Sequence, residues 1–325
     1  MGKSALIFGV TGQDGSYLAE YLLSKEYEVV GVKRRASTDN CINVKNIKDD
    51  DNFTLVEGDI TDPSSVYDLV LHSQPDECYN LAAMSHVGTS FIQPSYTIDV
   101  NANGVLNILE QIRKCSLHTK FYQASTSELF GDNYTIINGQ KMQNENTAFS
   151  PNSPYAIAKL AAHNLVRVYR AAYGIYGCCG ILHNHESPRR GTNFVTRKIT
   201  RWIGNYYRDS NIPKLKLGNL SAYRDFGYAA DYVKAMHLML QQPIPDDYVV
   251  ATGNAWSILE FAQAAFQYAG LDFGEHVEID SALYRPCEVP YLQGDSAKIR
   301  SLGWKPSINI QQLVRKMVDY DINHG

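Results

Sequence analysis

The apolar run "SALIFGV" at 4–10 leads directly into "TGQDGSYLAEYLL" at 11–23. The first stretch has the length and β-richness of a fully buried strand, and the second repeats its apolar residues at helical spacing. Between them Gly9, Gly12 and Gly15 form a GxxGxxG turn. A strand, a glycine-rich turn and a helix in that order commit the next strand to lie parallel to the first, because the helix must cross back over the sheet. The same alternation continues. "YEVVGVK" (27–33), "NFTLVEG" (52–58), "ECYNLAA" (77–83) and "TKFYQAS" (119–125) read as buried strands, with helical patterns in "PSSVYDLVLHS" and "VLNILEQIRK" between them. The fold class expected is α/β, a doubly wound parallel sheet of the Rossmann type.

Past residue 180 the regularity weakens. Loops rich in Asn, Pro, Gly and Arg appear, with helical patterns near 194–207, 228–241 and 257–269. We expect a first domain over 1–180, which also receives segments near 225–255, and a smaller C-terminal α/β substrate lobe over 181–325, with the ligand cleft between them. The composition agrees with a globular chain: 44% of residues are hydrophobic and 20% charged, enough apolar residue for two cores. A net charge of −4 argues against general nucleic-acid or membrane-surface binding. The six cysteines (Cys41, Cys78, Cys115, Cys178, Cys179 and Cys287) form no CxxC pair. Most lie in or beside apolar runs, which favours thiols in a reducing compartment. No apolar stretch approaches a membrane span, and the strand pattern begins almost at residue 1, so no signal peptide and a cytoplasmic location are expected.

The glycines fit a dinucleotide. Gly9 permits the tight turn, Gly12 lets backbone approach a pyrophosphate, and Gly15 allows the helix to pack closely on the strand. Strand two ends in "VKRRAST", with Arg34 and Arg35 at the place where an NAD site carries an acid for the ribose 2′-hydroxyl. Arginine suits a 2′-phosphate, so NADP is the expected cofactor. Asp59 can accept from the adenine amino group, and the small residues of "NLAAMSHV", Leu81, Ala82, Ala83 and Ser85 among them, can let backbone approach the cofactor.

"NSPYAIAKLAAHNLVRVYRAAYG" marks a helix: Ser153 caps it, Pro154 suits the first turn and Gly174 ends it. Tyr155 and Lys159 stand four apart and share a face. A free phenol titrates near ~10, but a neighbouring ammonium and an oxidised nicotinamide favour the phenolate, which makes Tyr155 a candidate general base. "QASTSELFG" follows the fifth strand, at the edge where such sheets place chemistry. Thr126 can bond a hydroxyl undergoing oxidation. Glu128, two residues on, is a carboxylate able to serve as a second acid–base group.

Two polar stretches remain. "HNHESPRRG" at 183–191 puts His183, His185 and Glu186 together, but without a third ligand at a spacing such as HExxH; no metal is expected, and Asn184 suits sugar hydroxyls or diphosphate oxygens. Arg224 and Arg285, in distant loops, can clamp a diphosphate.

Taken together, "GVTGQDG" and "SPYAIAK" resemble the extended short-chain dehydrogenase/reductase family. Within it, "FYQASTSELFG", "ILHNHESPRRGTNFVTRK", "LGNL", "RDFGYAADYV" and "RPCEV" resemble the GDP-mannose 4,6-dehydratases, almost end to end. The resemblance implies NADP-dependent conversion of GDP-mannose to GDP-4-keto-6-deoxymannose. It places Thr126, Glu128, Tyr155 and Lys159 in catalytic positions with Ser127 beside them. It adds Thr11, Gln13, Asp14, Ile60, His185 and Arg190 to the cofactor side. To the substrate side it adds Ser85, Asn184, Asn193, Val195, Lys198, Leu217 and Gly218, with Arg224 and Arg285 on the diphosphate and Glu288 on the ribose. A homo-oligomer, dimer or tetramer, is implied. This chain departs from the family pattern in "DNCINVKNIKDDDNF", where a longer basic stretch is usual, at His183, where Phe or Leu is usual, and at Ala230, where Lys is common. Two alternatives stay open: a 4-epimerase or 4-ketoreductase of the same fold, although a pure epimerase has no use for Glu128, and a non-catalytic NADP or sugar-nucleotide sensor, which has no use for Tyr155 and Lys159.

Overall fold

The computed structural model describes residues 2–324. Seven parallel strands form the main sheet: β1 (Ser4–Phe8), β2 (Glu28–Lys33), β3 (Phe53–Glu57), β4 (Glu77–Asn80), β5 (Lys120–Thr126), β6 (Gly177–Leu182) and β7 (Asp247–Val250). Their order is β7-β6-β5-β4-β1-β2-β3, and every pairing is parallel. The order reverses beside β1, so the crevice at the carboxyl ends of β1 and β4 is where such a sheet takes a ligand.

Both faces are covered. Ala5 and Ile7 of β1 pack with Leu18, Ala19 and Leu22 of helix Gln13–Leu23 and with Val233, Met236 and Met239 of helix Ala229–Leu240. On the other face Leu6, Phe8, Cys78 and Phe121 meet Val66 and Val70, Ile108 and Ile112, and Ala162 and Val166, from the helices Pro63–Ser73, Gly104–Cys115 and Pro154–Tyr173. Strands buried on both faces need apolar residues at successive positions, which is why they stand out in the sequence.

A third core is separate. Helices Val195–Arg208, Ile258–Tyr268 and Ile310–His324 pack through Ile199, Ile203, Phe261, Phe266, Leu313 and Met317. Small sheets border it: Leu215–Leu217 pairs with Val277–Ile279, and Tyr223–Asp225 lies between Ala255–Ser257 and Tyr291–Leu292. The chain crosses between the two bodies more than once. β7 and helix Ala229–Leu240 return to the main sheet, and so do Ile299 and Trp304, which join its first core. No described helix is long and apolar enough to cross a membrane.

Candidate active site

The glycine turn is shaped by close approach. Gly9 adopts φ +81°, and a Cβ there would lie 2.8 Å from the Ala82 amide nitrogen. A Cβ on Gly15 would lie 2.3 Å from the Gly9 carbonyl oxygen. Gly12 is the N-cap of the following helix and offers no capping side chain, so the first-turn N–H groups face the groove, as an anionic pyrophosphate requires. Thr11, Gly12, Gln13, Asp14 and Gly15 border this groove. Asp59 and Ile60 line it after β3, and Leu81, Ala82, Ala83 and Ser85 after β4. A cradle that side chains would fill, ending at a bare helix N-terminus, fits a dinucleotide.

The two arginines after β2 separate. Arg34 lines the groove, next to Tyr96, to whose hydroxyl it donates. Both are exposed, but Arg35 is not part of the lining. Asn40 and Asn43 take part instead, and Asn43 Nδ2 donates to the Thr11 carbonyl at 3.0 Å. The segment that departs from the family pattern thus folds onto its own glycine turn through the short helical turn Ile42–Ile47, with Val44 and Ile47 in the core. Asparagines in a loop read as turn residues, so nothing in the sequence marked these two as groove residues.

A second pocket opens at the ends of β5 and β6. Thr126, Ser127, Glu128, Tyr155 and Lys159 all line it, with Ser85, Asn184, His185, Arg190, Arg224 and Arg285 around them. Local sequence explains the placement. Thr126 ends β5, and its hydroxyl accepts from the Glu128 amide at 3.3 Å, starting the tight turn Ser127–Phe130 that carries Glu128. Ser153 Oγ accepts from the Ala156 amide at 3.1 Å, Pro154 occupies the first turn and Gly174 ends the helix at φ +68°. Tyr155 and Lys159 therefore sit one turn apart on the inner face, both buried. Lys159 Nζ donates to the Ala124 carbonyl at 2.9 Å.

Burial dominates the electrostatics. The Tyr155 phenol is pushed up to about 12 by desolvation, with the Thr126 hydrogen bond and the Arg190 charge pulling down and Glu128 pushing up. The Lys159 ammonium is pushed down to about 8 by desolvation, opposed by the charge of Asp14. A phenol held this high becomes a base only when further positive charge enters the pocket.

The "HNHESPRRG" stretch stitches the pocket to the glycine turn. His185 Nε2 and Asp14 Oδ2 are 2.8 Å apart, and the other ring nitrogen, Nδ1, is 2.8 Å from the His183 carbonyl. Gln13 Nε2 donates to the His185 carbonyl at 3.1 Å, and Ser187 Oγ donates to Gln13 Oε1 at 2.8 Å. Glu186 accepts from Thr196 and pairs with Arg190 at 3.3 Å. His185 and Glu186 are thus bonded to protein partners, whereas the buried His183 ring has a hydrogen-bond partner at neither nitrogen. The arginines divide the work: Arg189 is held by Ser16 and Glu20 of the first helix, while Arg190 lies over Phe194 and faces both cavities.

The Asp14–His185 pair makes a stability prediction. Burial pushes the Asp14 carboxyl up, but the His185 charge and hydrogen bond leave it below the carboxylate range; burial pushes His185 down, but Asp14 leaves it above the usual imidazole value. The Asp14 contribution is lost as pH falls through its lowered value, and the His185 contribution as pH rises through its raised one. Asp14→Ala should cost about 2 kcal/mol near pH 6, less than a fully buried pair because the carboxylate keeps some solvent. Urea denaturation at about pH 6 and about pH 9 checks this; the gap between wild type and variant should narrow at the higher pH, where an uncharged His185 needs no ion partner.

A third cavity continues into the lobe. Asn184, Asn193, Val195, Lys198, Leu217, Gly218, Arg224, Arg285 and Glu288 all border it. Arg224 is buried; its Nη2 donates to Glu288 Oε1 at 2.6 Å, and Nη1 to the Val289 carbonyl at 2.8 Å. Arg285 Nη1 reaches the same carboxylate oxygen at 3.4 Å. The family resemblance implies a ribose contact for Glu288; in the structure its carboxylate holds the two arginines together. His86, Asn219 and Tyr284 line the cavity as well; the first two lie inside "NLAAMSHV" and "LGNL" without having been singled out, and Tyr284 lies in no motif.

A protein-family model described as GDP-mannose 4,6 dehydratase matches residues 6–317. The chain is 49% identical to GDP-mannose 4,6 dehydratase 1 of Arabidopsis thaliana over 98% of its own length and 90% of the relative's. It is 46% identical to the GDP-mannose 4,6-dehydratase of Vibrio cholerae serotype O1, covering 99% and 94%. Among solved structures it is similar to a dTDP-glucose 4,6-dehydratase from Bacillus anthracis in complex with NAD, at TM-score 0.86, 20% identity and 99% and 97% coverage. RMD from Pseudomonas aeruginosa complexed with NADPH gives TM-score 0.81 at 23% identity, covering 99% and 100%. At those identities the solved structures speak for the fold alone. With a family model spanning nearly the whole sequence and relatives alike from end to end, the chain belongs to the GDP-mannose 4,6-dehydratase family.

Proposed function

We propose that this enzyme dehydrates GDP-mannose to GDP-4-keto-6-deoxymannose with NADP. Family membership carries the reaction; the observation that carries the residue assignment is the convergence of Thr126, Glu128, Tyr155 and Lys159 on one pocket between the glycine groove and the lobe cavity. Tyr155 takes the proton of the C4 hydroxyl as C4 is oxidised, Thr126 orients that hydroxyl, and Lys159, fixed on the Ala124 carbonyl, places its charge at the pocket wall. When bound, an oxidised nicotinamide supplies a hydride acceptor that later reduces C6, and a positive charge that favours the phenolate. Glu128 removes the C5 proton, acidified by the C4 ketone, and delivers it to the C6 hydroxyl, which leaves as water. C5 regains a proton as C6 is reduced. One water is lost and no net redox change remains. Arg224 and Arg285 clamp the diphosphate, with Glu288 between them.

The reading carries with it a homo-oligomer and a cytoplasmic setting, to which six free thiols are suited. Incubation with GDP-, UDP- and dTDP-hexoses, followed by mass detection of a product lighter by one water, tests the substrate. Only the GDP-mannose reaction should proceed efficiently.

NADP preference rests on Arg34. Arg34→Asp replaces a phosphate partner with a repelling charge, so NADP affinity should fall by about 100-fold or more while NAD affinity changes little. Titration with both cofactors checks it. Equal losses would remove the 2′-phosphate assignment, and the same substitution at Arg35, which does not line the groove, should have the smaller effect.

A further inference from the structure

Tyr155, Lys159, His163 and Arg167 are spaced four apart along one helix, Pro154–Tyr173, and form successive rungs of one face. The proposed reaction uses the first two. His163 is buried in mid-helix, where an imidazole with nothing to bond is costly, and its surroundings show what it bonds. His163 Nδ1 lies 3.1 Å from Ser125 Oγ. Lys159 grips the Ala124 carbonyl one residue earlier, so consecutive rungs hold consecutive residues of β5. Ser125 lines the catalytic pocket with Thr126, Glu128 and Tyr155. On the other side of the ring, Nε2 lies 3.5 Å from Asp247 Oδ2 at the start of β7. Asp247 is partly exposed and is bonded by Arg170 Nη2 at 2.6 Å, with the exposed Arg167 at 4.0 Å.

We propose that Ser125, His163 and Asp247 form a proton relay joining the catalytic pocket to the protein exterior. It rests on the dehydration reading and supplies a step that reading leaves open. Tyr155 gains a proton from the C4 hydroxyl, whereas C5 needs one when C6 is reduced. Gain and loss occur at different atoms, so the pocket must exchange protons between them or with water. In the outward direction Ser125 Oγ accepts a proton from the pocket while its own hydroxyl proton passes to His163 Nδ1. The Nε2 proton passes to Asp247 Oδ2 and from there to water. Each O–H or N–H bond broken is matched by one formed, and the ring returns to a neutral form; inward transfer reverses each hop.

The surroundings of the ring suit this role. Besides Asp247, Arg167 and Arg170, the groups facing His163 are the Ser125 hydroxyl of β5, the edge-on Phe149 ring and the Cys179 thiol of β6, which contacts the His163 carbonyl. Burial, aided by Arg167 and Arg170 and opposed by Asp247, holds the imidazole below its ordinary value. A neutral ring has one donor and one acceptor, as the chain of hops requires. The His163, Cys179 and Asp247 ligand atoms also lie within 4.8 Å of one another, a spacing that suits a cation. The Arg170 guanidinium already on Asp247 and the burial that raises the Cys179 thiol well above its usual range stand against that use.

Ser125→Ala and His163→Ala in the full enzyme test the relay. Each should lower kcat for GDP-mannose by about 100-fold, the lower end of what a positioned proton-transfer group contributes, with KM nearly unchanged. The solvent deuterium isotope effect on kcat should rise in both variants. Added imidazole should restore His163→Ala, while pyrazole, of the same shape but far less basic, should not. Wild-type kcat in either variant, equal rescue by both bases, or no rescue by imidazole overturns the relay. If His163→Ala does not fold, Ser125→Ala, which removes one hydroxyl, carries the test through kcat and the isotope effect. Failure of the unmodified enzyme to dehydrate GDP-mannose is a separate outcome, which removes the dehydration reading itself.

Discussion

Tyr155→Phe should bind GDP-mannose and cofactor normally and fail at the first chemical step. The pocket supports this expectation directly. The ring is buried near the amino end of its helix and Phe fills nearly the same volume, so packing is retained while the only change is loss of the hydroxyl proposed to take the C4 proton. kcat should fall by about 10²–10⁴, with KM changed little. Neither a 4-keto sugar nor reduced cofactor should accumulate, because oxidation itself is blocked. The pH dependence adds a check. Burial lifts the phenol to about 12 without a bound cation, so in the wild type activity should rise with pH over a range set by the ternary complex, and this rise should vanish in the residual activity of the variant. Stopped-flow absorbance of the reduced nicotinamide reads the first step. Normal formation of reduced cofactor in Tyr155→Phe would give the base role to another group.

Glu128→Gln should stop the reaction one step later. The amide keeps the shape of the side chain but cannot accept the C5 proton or pass it to the C6 hydroxyl. In the proposed mechanism oxidation at C4 needs Tyr155, Lys159 and Thr126, none of which is altered, so a 4-keto hexose and reduced cofactor should form and remain bound. Overall dehydration should fall by about 10²–10⁴. Rapid quench and borohydride trapping of the 4-keto sugar distinguish this arrest from that of Tyr155→Phe. A Glu128→Gln enzyme that accumulates no 4-keto sugar would move Glu128 out of the elimination step and leave it a structural turn residue.

Much of the scaffold was legible because its physics is local. Buried parallel strands carry unbroken apolar runs, so the strands through β5 could be read within three residues at either end. The helix Pro154–Tyr173 could be read to its ends, since Ser153, Pro154 and Gly174 each do one stereochemical job there. The lobe was less legible. Its strands Leu215–Leu217 and Val277–Ile279 are three residues each and pair across about 60 positions, so no short-range pattern marks them. At the site, residue types singled out Tyr155, Lys159 and Glu128 as candidates, which the structure brings into one pocket, but not how they are held. Nothing in "TGQDG" signals that Gln13 and Asp14 bond His185 and Ser187 some 170 residues later. Arg34 and Arg35 are equivalent on paper, and only the folded chain separates them, Arg34 lining the groove and Arg35 not. His163 carries no motif of its own in "AKLAAHNLV". Its four-residue spacing from Lys159 was the available clue.

The most direct test of the central claim follows one hydrogen. GDP-mannose carrying deuterium at C4 is converted by the unmodified enzyme, and the product is examined by NMR and mass spectrometry. Oxidation, elimination and reduction within one pocket, without release of cofactor, place that deuterium at C6 of GDP-4-keto-6-deoxymannose. Deuterium found in free reduced cofactor, with none at C6, would contradict an internal transfer and leave a simple sugar-nucleotide dehydrogenase.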